Sequence, residues 1–210
     1  MNLISELFNK KKNLNDSLLN AENTRLLDIK NNKEVWQKLQ KLGINDYDEL
    51  YNLCLFSSIV YNDISILYDN YVTSKSETQK NLFGRLLCLT IIEFLDDINP
   101  MIGKNLRNEL ISNEMSDFIT ELKAVGKEFS RIKNTNNSVL RKIRNESAAH
   151  KTKQSQDLII YSTELPFENL DELNLQISTS LNKLTTITTK IIKRITEQLT
   201  LRFKKEKSDK

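Results

Sequence analysis

Apolar residues return at steps of three and four along most of this 210-residue chain, and very little interrupts them. Leu53, Phe56, Val60, Ile64 and Leu67 form one such stripe, and Leu82, Leu86, Leu87, Ile91, Phe94, Leu95 and Ile98 a second. Phe118, Leu122, Val125, Phe129 and Ile132 give a third; Leu170, Leu173, Ile177, Leu181, Leu184, Ile191, Ile195 and Leu199 give a long fourth, broken at Thr188. That rhythm places side chains on one face of an α-helix. The chain has only four Gly and two Pro, too few for the turns of an all-β protein of this length. An apolar fraction of 39%, dominated by Leu and Ile, suffices for a sizeable core. The expected fold class is therefore all-α: a helical bundle with a central antiparallel hairpin and a long C-terminal helix.

The first hairpin helix is expected from about Tyr47 to Tyr71, with Asp46 or Asp48 as its cap. Its partner opens at Ser74 or Ser76, with Glu77 or Gln79 following, and ends at Asn99-Pro100. A shorter helix follows over Met101 to Ile111, then another over Ser116 to Ile132, which the polar stretch Asn134 to Ser138 separates from Val139-Leu140-Ile143. The last helix begins near Pro166 or Leu170 and runs to about Phe203. Its stripe fits packing within the monomer better than a dedicated zipper, because Thr occupies several inward positions. Residues 1–45 are Asn- and Lys-rich and read as an N-terminal helical extension, packed or mobile, broken at Asn31-Asn32 and Gly43. Residues 46–203 form the bundle, and 204–210 a charged tail expected to fray.

Lys10, Lys11 and Lys12 precede any apolar region, which argues against a signal peptide, and the greasiest stretch, Leu82 to Leu95, is cut by Arg85 and Glu93 and is too short for a bilayer. A cytoplasmic protein with no membrane partner is expected. Cys54 and Cys88 lie in helix-periodic segments and read as buried thiols. Neither a metal-ligand spacing, a phosphate loop nor a nucleophile elbow occurs, so no metal and no cofactor is expected.

His150 is the chain's sole histidine and the natural group for acid–base chemistry near neutral pH. Between Arg131 and Lys153 stand seven basic residues, Arg131, Lys133, Arg141, Lys142, Arg144, Lys151 and Lys153, against one acid, Glu146. Such a cluster attracts phosphates through charge-assisted hydrogen bonds; the plain alternative is a solvated helix face. Trp36 and the tyrosines could stack on bases, although their spacing fits packing better.

Arg144-Asn145, four residues and then His150 resemble the Rx4-6H motif of HEPN-domain proteins, and Ala148-Ala149-His150-Lys151 resembles the small-small-His-basic ending common among them, including abortive-infection relatives. Several helices precede the motif and an amphipathic helix follows, as in that family. Thr152 stands where toxins paired with nucleotidyltransferase antitoxins usually carry Tyr, which sets the chain apart from that subgroup. The resemblance implies a metal-independent endoribonuclease with Arg144, His150 and Asn145 as its catalytic set, in phage defence or as a toxin. It implies RNA as substrate, held by Arg141, Lys142, Lys151, Lys153, Arg131 and Lys133, and an antitoxin or sensor protein as a further partner. Non-catalytic members act as RNA-binding or assembly modules, so a binding or scaffold module is the alternative. One histidine cannot be both base and acid in a single step, and on a straight helix Arg144 and His150 lie about 120° apart. A helix break near Glu146 or a homodimer with a composite site would resolve this, and HEPN enzymes generally use the second.

Overall fold

Six α-helices and one short 3₁₀ turn make up the described part of the computed structural model, which covers residues 3–145 and 169–208. In chain order these are α1 (Leu3–Lys41), α2 (Asp48–Thr73), α3 (Glu77–Met101), α4 (Lys104–Ser112), the turn Ser116–Phe118, α5 (Ile119–Ile143) and α6 (Leu170–Ser208). The chain is an all-α helical bundle, and no strand occurs among the described residues.

The hairpin α2–α3 makes the most extensive helix–helix contact, with α5 packed on α3 and α6 lying against both α2 and α5. Leu50, Leu53 and Ile64 of α2 meet Leu87, Ile91, Leu95 and Ile98 of α3 in the sealed interior. Three rings tie the layers: Phe56 stacks on Phe94 at 6.0 Å, and Phe94 meets Phe129 edge-on at 5.2 Å. By length and composition α2 is the one described helix apolar enough to cross a membrane. Here it is the core helix, flanked by α1, α3 and α6. The inward residues of α6, from Leu170 to Ile195, are buried within the chain itself, so its long stripe serves intramolecular packing. Three ion pairs run along the α5–α6 seam: Lys183–Glu128, Lys190–Glu121 and Arg194–Asp117.

Several boundaries differ from those expected. α1 runs unbroken through Asn31-Asn32, since Asn costs a helix only a few tenths of a kcal/mol and packing against α2 offsets that. Gly43 does end the turn after it, with φ +73. α5 likewise continues through the polar stretch: Asn136 donates to the Ile132 carbonyl, and Leu140 and Ile143 keep the rhythm of Phe129 and Ile132. α6 continues to Ser208, because the Lys-Glu tail is made of good helix formers.

Pro100 lies inside the last turn of α3 instead of ending it. The break falls at Ile102-Gly103, where a Cβ on Gly103 would stand 2.4 Å from the Pro100 carbonyl oxygen. Only glycine permits that approach. Gly103→Ala is expected to cost about 1–3 kcal/mol, the usual penalty of forced overpacking, read as a lower denaturation midpoint in urea at unchanged slope.

The α2 N-terminus also departs from expectation. Neither Asp46 nor Asp48 caps it; Asp48 instead accepts the Trp36 indole N–H. The cap comes from α4, where Glu109 accepts the Glu49 and Leu50 amides at 2.8 and 2.9 Å. Burial raises this carboxyl; the two amide bonds oppose that, and Glu49 and Asp48 add to it, leaving it pushed up to about 7. The folded chain thus holds a proton on Glu109 that the unfolded chain releases near 4.5. The resulting stability is full below pH 4.5 and is lost as pH rises through about 7. Because the group is only partly buried, the discounted effect is about 1–2 kcal/mol. Thermal midpoints compared at pH 5 and pH 8 should fall more steeply with pH in the parent chain than in Glu109→Gln.

Candidate functional site

Arg131, Lys133, Arg141, Lys142 and Arg144 all project from α5 or the turn after it, in the half of that helix that crosses α3. The local sequence explains why they leave the core. Ile132, Leu140 and Ile143 occupy the inward positions, so the basic residues between them face outward or along the seam.

That seam holds two carboxylates which the chain's linear order conceals. Asp96 of α3 receives Lys133 Nζ at 2.7 Å and Arg141 Nη2 at 2.8 Å on the same oxygen. Its other oxygen lies 3.8 Å from Arg144 Nη1, and Glu93 lies 3.5 Å from Arg144 Nη2. Burial alone would raise the Asp96 carboxyl, but the hydrogen bond and charge of Lys133, joined by Arg141, outweigh it and hold the group below the usual carboxylate range. Arg141 is further fixed through Nε to the Asn137 amide oxygen at 2.9 Å.

Three of the basic residues therefore face two acids, and the local field is weaker than seven cations against one acid would give. Sequence reasoning missed Glu93 and Asp96. The available signal was their spacing: acids three apart in an otherwise apolar helix share one face, which makes them a counterpart for a basic helix.

The motif residues divide at this point. Arg144 is about one-third exposed and braced by Glu93 and Asp96, and Asn145 is exposed beside it. Lys142 and Arg131 are exposed on the outer face. His150, Lys151 and Lys153 lie outside the described residues. α-Helical hydrogen bonding stops at Ile143, where the Arg144 amide is shared between the Leu140 and Arg141 carbonyls, and Arg144 and Asn145 enter a π-type turn. Such turns inside or at the ends of helices recur at functional sites.

Other chemistry is sparse. Burial pushes the Cys54 and Cys88 thiols up to about 12, which leaves both neutral and unreactive at physiological pH. Among the described residues no group of three His, Cys, Asp or Glu side chains converges to hold a metal ion. Compared with models of known families, with curated proteins and with solved structures, the chain matches none.

Proposed function

We propose that this chain is a metal-independent endoribonuclease of HEPN type, working as a homodimer with a composite site, in phage defence or as a toxin. The observation that carries the reading is the state of Arg144. The cation of the Rx4-6H motif stands where α5 ends, with its guanidinium 3.5 Å from Glu93 and 3.8 Å from Asp96. Carboxylates on α3 bias that guanidinium toward one side of the helix end, and charge stabilisation is more effective when the donor is positioned beforehand.

In the proposed reaction the ribose 2′-oxygen attacks the adjacent phosphorus and the P–O5′ bond breaks. The 2′-hydroxyl proton passes to one imidazole, and the leaving 5′-oxygen takes a proton from the symmetry-related imidazole. Products are a 2′,3′-cyclic phosphate and a 5′-hydroxyl. Arg144 stabilises the phosphorane oxygens and Asn145 orients the reacting groups, while Arg131, Lys133, Arg141, Lys142, Lys151 and Lys153 draw the backbone in. An antitoxin or sensor protein would hold such an activity in check.

The test is end-group analysis of a mixed RNA incubated with the purified chain in excess EDTA, alongside sedimentation to read the oligomeric state. Cyclic phosphate and 5′-hydroxyl ends from a dimer are the expected result. RNA that binds but stays intact would leave the binding-module alternative, and a monomer without RNA affinity at low salt would remove both.

A further inference from the structure

A groove of about 300 Å³ opens between α1 and α6, floored by α2. A seam between three helices is ordinarily filled by apolar side chains, but here hydroxyls, amides and one charge of each sign stand among Cys54, Tyr61 and Ile192. The α6 stripe breaks at this level, where Thr188 replaces an apolar residue.

Several polar groups around the groove face it without protein partners among the described residues. Elsewhere on α6 the hydroxyls of Thr186, Thr196 and Thr200 bond back to the carbonyl four residues earlier. Thr185 and Thr189 line the groove and donate no such bond. On the opposite wall Arg25 uses Nε on the Asn62 amide oxygen at 3.1 Å, and its terminal nitrogens carry no hydrogen bond among the described residues. Asp28 and Asn32 stand beside it along α1, and Ser58 and Tyr61 rise from the floor.

We propose that this groove binds a small polyhydroxylated anion of sugar-phosphate type. One guanidinium offers a fork to a phosphate, and one carboxylate accepts from ligand hydroxyls. The remaining walls offer hydroxyls and amides to several ligand hydroxyls, beside the Tyr61 ring and Ile192. The volume sits at the lower end for small-molecule sites, which suits a pentose or hexose phosphate. Occupancy would also fasten α1: among its described inward positions only Leu39 is buried, while Leu18, Glu22, Arg25, Ile29 and Asn32 are half-buried. The ligand bridges α1 to α6, which otherwise scarcely touch.

Titration calorimetry and amide hydrogen exchange with ribose 5-phosphate test this, with ribose, inorganic phosphate and 5′-AMP as separate arms. Ribose 5-phosphate should bind with Kd on the order of 10–500 μM and slow exchange across residues 16–41. Arg25→Gln should weaken binding at least tenfold, and Asp28→Asn about threefold, each with helical circular dichroism matching the parent; Arg25→Lys, which keeps the charge, should weaken it less than Arg25→Gln. Absence of binding at 10-fold above that range overturns the proposal. So does unchanged affinity in Arg25→Gln, or tighter binding of 5′-AMP or free phosphate than of ribose 5-phosphate.

Discussion

Replacing His150 with alanine is expected to lower RNA cleavage by roughly 10³–10⁴-fold, and replacing Arg144 with alanine by roughly 10²–10³-fold. The first figure follows from there being one imidazole per chain. No other side chain has an unperturbed pKa in the working range, so nothing can substitute for it as proton carrier. The second follows from the general worth of one prearranged donor aimed at developing charge. Stability separates these effects from simple unfolding. The Arg144 pairs at 3.5 and 3.8 Å are long and partly exposed, so their loss should cost under about 1 kcal/mol. Arg144→Lys keeps the charge but not the planar fork, and should fall between parent and alanine. The measurement is initial cleavage rate beside thermal midpoint for each variant. Full activity in His150→Ala would end the nuclease reading outright.

Amino-acid order carried the bundle well and the site only partly, for identifiable reasons. Periodicity in α2, α3, α5 and α6 is strong because each has a wide inward face, and Leu50, Ile91, Phe129 and Ile177 are sealed where the rhythm puts them. The α1 stripe was faint in the sequence, although its helical character was expected, because Arg25 and Asn32 line the groove between α1 and α6 and Glu22 a separate cleft against α2. Helix ends were harder. The α2 cap comes from Glu109, some sixty positions away, and local motifs cannot register a long-range partner. Charge failed for the same reason: a count over Arg131 to Lys153 cannot see that Asp96 and Glu93 lie across the seam. The resemblance in Arg144-Asn145-x4-His150 is a statement about residue types and carries no geometry of its own.

Phe94→Ala is expected to cost about 3–5 kcal/mol, a large single-residue effect on stability. Phe94 is 1% exposed and stands where α2, α3 and α5 meet, stacked on Phe56 and edge-on to Phe129. Truncation removes the transfer free energy of a ring, leaves a cavity that rigid neighbours cannot fill, and forfeits two aromatic contacts worth about 0.5–1.5 kcal/mol each. Against a typical total of about 5–15 kcal/mol this should shift the urea midpoint by a large fraction of its value. Leu201→Ala, at a residue 61% exposed, should shift it by less than about 0.5 kcal/mol. Phe94 also lies between Glu93 and Asp96 in α3, so the ring that locks the core sets the depth of the carboxylates that hold Arg144. Phe94→Leu, which keeps most of the volume, should therefore retain a folded chain while loosening that brace. Its cleavage rate should fall several-fold at temperatures where circular dichroism still reports an intact bundle, and an unchanged rate would mean that α3 does not position the site.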